Sequence, residues 1–158
     1  MTRIIVADDH TLIRAGLQRI LAGIDDLELV GEAANGAQAV TLLERSLCDV
    51  LLLDLSMPGR SGIDLISHIK ASFPKVAILV LTMHGEEQYA VRALKAGASG
   101  YLTKDSAPAE LVLAVRKVDS GGVYSVLLWL RKLRRIWRVP WPMVPVIAAS
   151  RTASLMSS

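Results

Sequence analysis

A chain of 158 residues suits one domain plus an appendage, long enough to bury a core without metal or disulfide staples. Its single cysteine, Cys48, excludes an internal disulfide framework. The net charge of +3 joins two unlike segments: up to Tyr124 stand 12 Lys and Arg against 15 Asp and Glu, and from Ser125 onward six basic residues and no acid, so a nucleic-acid reading could rest only on the tail.

In chain order, RIIVA (3–7) reads as a first strand that ends on Asp8 and Asp9. Leu12, Ile13, Leu17, Ile20 and Leu21 then recur at helical spacing. LELVGEA (27–33) is a second strand, Asn35-Gly36 a break, and Ala39, Leu42 and Leu43 a second helical face. Cys48 precedes DVLLLD (49–54), an unbroken apolar run that suits a central strand covered on both sides, so its thiol is expected to be packed. Pro58-Gly59 and Ser61-Gly62 punctuate the way to a third helix with Ile63, Leu65, Ile66 and Ile69. VAILVLT (76–82) is a fourth strand, followed by a helix carrying Ala90, Val91 and Leu94, a break at Gly97, and a fifth strand in SGYLT (99–103). Ser106 and Pro108 start the last helix, with Leu111, Val112 and Val115 on its apolar face, and Gly121-Gly122 end it. Five strand–helix units in series predict an α/β fold, a doubly wound five-stranded parallel sheet.

Function in such a sheet collects at the carboxyl ends of the strands, where the strand order reverses. In the order 2-1-3-4-5 the first and third strands are neighbours at that point, so Asp8, Asp9 and Asp54 would share one pocket. Crowded carboxylates repel, and a hard cation such as Mg²⁺ relieves them. Thr82 and Lys104 end the fourth and fifth strands on the same rim and add a hydroxyl and a point charge. This set suits phosphoryl chemistry, with a carboxylate as the nucleophile. Each residue also has a plain reading: a helix cap for Asp8 or Asp9, a β-branched strand residue for Thr82, a solvated charge for Lys104. Their joint occurrence on one rim favours the site. His10, His68 and His84 show no metal-ligand spacing and read as solvated or packed.

The motifs ADDH, LLLDLSMPGRSG, VLTMH and GYLTKD, in this order and spacing over residues 1–120, resemble the receiver domain of two-component response regulators, and the DDH opening, LTMH and the KD after GYLT resemble its NarL/FixJ subfamily. The resemblance implies the flavodoxin-like receiver fold. It makes Asp54 the phosphoacceptor, phosphorylated by a sensor histidine kinase, and assigns Mg²⁺ to Asp8, Asp9, Asp54 and the backbone carbonyl of Ser56. Lys104 would pair with the phosphoryl group. Thr82 would hydrogen-bond it and move inward, and Tyr101 would turn into the vacated space. Such a domain is a phosphoacceptor switch in the cytoplasm, taking part in its own Mg²⁺-dependent phosphorylation and dephosphorylation, rather than an enzyme, and it forms a homodimer on phosphorylation. Asp105 stands where many receivers carry proline, a departure that NarL-like members share. Haloacid-dehalogenase-type phosphatases also form an aspartyl phosphate, but carry a second Asp where this chain has Ser56, and their nucleophile follows the first strand.

In this subfamily a receiver ending in GGVY leads through a linker into a DNA-binding helix-turn-helix, yet residues 121–158 form a basic tail rich in tryptophan and proline, irregular or partly helical. Read in the neighbouring frame, SVLLWLRKLRRIWR permits SPAVAEKAAANLA, which resembles such a linker. Ala149 with SRTASLMS (150–157) permits LTDREFDV, which resembles the opening of the helix-turn-helix. The tail thus reads as an out-of-frame or truncated remnant, and DNA binding is expected only of full-length relatives, which control transcription. The alternative is a stand-alone receiver whose Val126, Trp129, Leu130, Leu133 and Trp137 form the apolar stripe of a cationic amphipathic helix on a membrane or partner. No segment reaches the roughly 18 uninterrupted apolar residues of a membrane span.

Overall fold

The computed structural model describes residues 1–57, 62–83 and 87–124. Pro58-Gly59, Ser61 and His84, together with the tail from Ser125 and its helical reading, lie outside the described residues.

Strand and helix alternate as the hydrophobic pattern requires: β1 (Thr2–Ala7), α1 (Thr11–Ala22), β2 (Leu27–Ala33), α2 (Gly36–Arg45), β3 (Val50–Asp54), α3 (Gly62–Ser72), β4 (Ala77–Thr82), α4 (Glu87–Ala96), β5 (Gly100–Thr103) and α5 (Pro108–Asp119). The strands form one parallel sheet in the order β2-β1-β3-β4-β5, as expected. Every residue of β3 is buried, which is why Val50–Leu53 are apolar without alternation.

The period of two divides the apolar side chains between two cores. Ile5, Leu51, Leu53, Ile78 and Val80 face one side, with Leu43 of α2, Leu65, Ile66 and Ile69 of α3, and Ala90 of α4. Ile4, Val6, Leu52, Leu79 and Leu81 face the other, with Leu17 and Leu21 of α1 and Leu111, Val115 and Val118 of α5. Each such side chain, fully buried, contributes about 1.5–3 kcal/mol. Burial on both faces fixes the register, and the register carries the strand ends to one rim.

The helix ends follow local chemistry. Asn35 caps α2 by accepting from the Gln38 N–H at 2.9 Å, and Gln38 accepts in return from the Ala34 N–H at 2.8 Å. The last helix begins one residue later than the serine suggested: Ala107 is its N-cap, without a side-chain bond, and Pro108 opens it with preset φ. The Ser106 hydroxyl instead lies 3.2 Å from Thr103 Oγ1. Gly121, at φ 93°, supplies the left-handed turn that ends the helix.

Cys48 packs against the first core, with Sγ 3.2 Å from the Val50 carbonyl. Burial pushes its thiol up to about 11, so little thiolate exists at pH 8. The folded protein is expected to resist iodoacetamide at pH 8 and the urea-unfolded protein to alkylate readily; equal rates by intact mass would contradict this packing.

The domain does not stop at the end of α5. Tyr124 forms a parallel bridge with Gly100 at the sheet edge, its N–H donating to the Ser99 carbonyl at 3.0 Å. Its hydroxyl donates to Glu110 at 3.0 Å while its ring packs on the second core. Gly100 makes the approach feasible: a Cβ there would stand 2.8 Å from Leu79 Cδ1 and 3.3 Å from the Tyr124 carbonyl oxygen. Tyr124→Ala is expected to destabilise the domain by about 1–3 kcal/mol and Tyr124→Phe by about 1 kcal/mol, read by urea unfolding. A Tyr124→Ala curve that overlays the wild type would show that the edge contact contributes nothing.

Candidate functional site: an acidic pocket with a buried lysine

The ladder positions the site. In the β1–β3 register Ala7 pairs with Leu53, so the next residues, Asp8 and Asp54, emerge side by side. Between β4 and β5 Thr82 pairs with Thr103, and the following Lys104 donates its backbone N–H to the Thr82 carbonyl at 2.7 Å. Four strand ends thus deliver Asp8, Asp9, Asp54, Thr82 and Lys104 to the carboxyl rim expected of them.

Asp8 and Asp54 are 1% and 2% exposed, a rare state for carboxylates that demands compensation. Part of it is local. Asp8 Oδ1 accepts from the His10 N–H at 2.8 Å, and Asp54 Oδ1 accepts from both the N–H and the Oγ of Ser56, at 3.0 and 2.9 Å. The other oxygens turn toward Lys104. Its Nζ lies 2.6 Å from Asp8 Oδ2 and 3.3 Å from Asp54 Oδ2, and its side chain is only 3% exposed. Yet among the described residues none of these three atoms has a hydrogen bond of good geometry. The distances make them an ion pair; the angles leave their bonding capacity unused.

Charge decides what the pocket fits. Asp8, Asp9 and Asp54 offer ligand atoms within 4.8 Å of one another. Like charges at that range repel by roughly 3–4 kcal/mol per pair at an effective dielectric constant near 20. Three carboxylates against Lys104 leave a net −2, which one divalent cation would neutralise. The donors are hard oxygens, as Mg²⁺ prefers, and one of them, Asp8 Oδ2, is buried with no hydrogen bond among the described residues.

Several contacts were not legible in the sequence. His10, read there as solvated or packed, stands in the pocket: its Nδ1 is 3.0 Å from Asp8 Oδ1 and 3.2 Å from Asp9 Oδ1. It is also the N-cap residue of α1, so neither aspartate caps that helix. Arg14 reaches back from α1 to the Asp8 carbonyl and pairs with Glu32 at 3.3 Å. Ser56 holds Asp54 with its hydroxyl and N–H, contacts distinct from the carbonyl expected of it. Asp105 accepts a hydrogen bond from Thr103 Oγ1 at 2.6 Å. Tyr101 is 6% exposed and belongs to the first core with Ala90 and Ala93 of α4. Adjacency in DDH was the one available hint for His10; the others depend on how loops fold back.

Comparison with known proteins agrees with this geometry. Residues 4–116 match the response regulator receiver domain. The oxygen regulatory protein NreC of Staphylococcus epidermidis is 46% identical over 123 residues, 77% of this chain and 56% of NreC. The chain therefore spans little more than half the length of such relatives. The receiver domain of the response regulator NarL from Mycobacterium tuberculosis is 38% identical, with a TM-score of 0.72 over 76% of this chain and 97% of that one. The isolated receiver domain of RcsB from Salmonella enterica, solved with the phosphomimetic BeF₃⁻, is 32% identical, with a TM-score of 0.76 over 82% and 96%. Matched in sequence along most of its described length and in structure across the whole sheet, the chain belongs to the response regulator receiver domain family.

Proposed function

We propose that this receiver is a switch set by phosphorylation of Asp54, with a phosphohistidine on a sensor kinase as donor. The observation that carries the proposal is the state of Asp54. It is almost fully buried, one oxygen is pinned by Ser56, and the other lacks a hydrogen bond and faces Lys104. Oδ2 is therefore the nucleophile. It forms an O–P bond as the donor's N–P bond breaks, and the departing imidazole nitrogen keeps the electron pair and takes a proton. Lys104 binds a phosphoryl oxygen from between Asp8 and Asp54. Mg²⁺, held by Asp8, Asp9, Asp54 and the Ser56 carbonyl, would supply positive charge opposite the transferring group. In this proposal the chain takes part in its own phosphorylation rather than turning over a separate substrate, and it works in the cytoplasm beside the kinase. Among the described residues no helix is long and apolar enough to cross a membrane.

Thr82 and Tyr101 are the relay in this proposal. A phosphoryl group that hydrogen-bonds Thr82 draws it inward, and this favours the buried Tyr101 ring seen here over an outward one. The altered face at α4 and β5 then serves homodimer formation. Control of transcription through a helix-turn-helix is the output that the family resemblance implies for full-length relatives; this chain spans little more than half the length of the relatives it matches.

Incubation with a small phosphodonor, followed by intact mass, tests the central step. One added phosphoryl group is expected with Mg²⁺ and none with EDTA. Label that ignores EDTA would defeat the metal assignment, and no label under any condition would defeat the proposal.

A further inference from the structure

We infer that His10 is a nitrogen ligand of the pocket, making it a site that takes imidazole-binding divalent transition metals more tightly than its oxygens alone would. The inference rests on the metal assignment above and extends it to a residue with no part in phosphoryl transfer.

Three observations carry it. His10, Asp8, Asp9 and Asp54 each place a ligand atom within 4.8 Å of the others. The His10 Nδ1 stands 3.0 and 3.2 Å from one oxygen of each of its two neighbouring aspartates. The 3.0 Å contact is of hydrogen-bond length, and two ligands held at about 2.1 Å on adjacent corners of an octahedron are likewise about 3.0 Å apart, so a metal can replace this contact without moving either residue. Finally, Asp8 Oδ2 is buried and has no hydrogen bond among the described residues, so the acids around His10 still have capacity for a ligand.

The backbone explains why the imidazole is there. His10 is in extended conformation at φ −93° and ψ 112°, and its N–H donates to Asp8 Oδ1, which turns the side chain back over the acids instead of out along α1. The ring is 55% exposed, which leaves the pocket open to an ion arriving from water. Imidazole adds little for Mg²⁺, a hard ion that favours oxygen, and much for Mn²⁺, Co²⁺ and Ni²⁺, whose affinity for nitrogen ligands rises along that series. Cys48 does not compete, since its thiol is packed against the opposite end of β3 and held protonated.

The intact chain and its His10→Gln and Asp9→Asn variants separate the outcomes. Far-UV CD establishes that each is folded, and calorimetric titrations with Mg²⁺ and with Ni²⁺ give the affinities. His10→Gln is expected to leave Mg²⁺ binding within about threefold and to weaken Ni²⁺ binding tenfold or more, on the scale of the 10–100-fold losses seen when a metal site is altered. Electron spin echo modulation from bound Mn²⁺ is expected to show ¹⁴N coupling in the wild type and none in His10→Gln. Equal Ni²⁺ affinity in both proteins, or ¹⁴N coupling that survives the substitution, overturns the inference while leaving the oxygen site intact. Loss of all divalent binding only in Asp9→Asn supports the acidic site itself, and a wild type that binds neither ion overturns both readings.

Discussion

Asp54→Asn is expected to abolish labelling by a small phosphodonor while leaving the fold in place. The amide keeps the shape of the carboxylate, so the Ser56 N–H and Oγ can still donate to its oxygen. What it loses is the anionic oxygen facing Lys104, and a neutral amide does not attack phosphorus. Thermodynamically the substitution removes one negative charge from a cluster that carries a net −2, so the melting temperature should hold or rise. Intact mass reads the label and a thermal melt reads the fold. Label persisting at the wild-type level in a folded Asp54→Asn protein would move the phosphoacceptor elsewhere.

Lys104→Met is expected to cause the larger loss of stability. Methionine keeps the apolar stem and deletes the one positive charge that, among the described residues, faces Asp8 Oδ2 and Asp54 Oδ2. Two carboxylates that are 1% and 2% exposed then stand uncompensated. Removing one member of a buried ion pair typically costs about 3–5 kcal/mol. The same charge balance predicts a rescue. A cation that binds only the folded state stabilises it by mass action, and a pocket without its lysine carries a net −3, so Mg²⁺ should raise the stability of Lys104→Met more than that of the wild type. Urea unfolding of both proteins, with and without Mg²⁺, gives the comparison. A loss below about 1 kcal/mol, well under the buried-pair range, or an equal Mg²⁺ effect in both proteins, would mean that Lys104 does not balance the acids.

Read this way, the lysine has a structural and a chemical role in one position. The ion pair lets two carboxylates remain buried before any ligand arrives, and its lack of well-aligned hydrogen bonds leaves all three groups available to one. The imidazole at the mouth follows the same logic, since His10 is held by the acids through a contact that a metal could replace.

The sequence by itself determined the sheet and its rim. Unbroken apolar runs such as VLLL (50–53), alternating with segments at helical spacing, predict a parallel sheet covered on both faces, and parallel strands all end on one side. Asp8, Asp9, Asp54, Thr82 and Lys104 were therefore legible as a group, because a residue at the end of a strand goes where the strand goes. Tertiary structure alone decided which atoms meet. Asp54 is oriented by Ser56, two residues away, His10 folds back onto the acids, and Tyr124 reaches across to the edge of β5 beside Gly100. These contacts depend on side-chain rotamers and loop paths, which carry no periodicity for a sequence to display. The burial of Lys104 shows the same division: its position followed from the strand pattern, whereas its desolvation between two carboxylates needed the neighbouring strands in place.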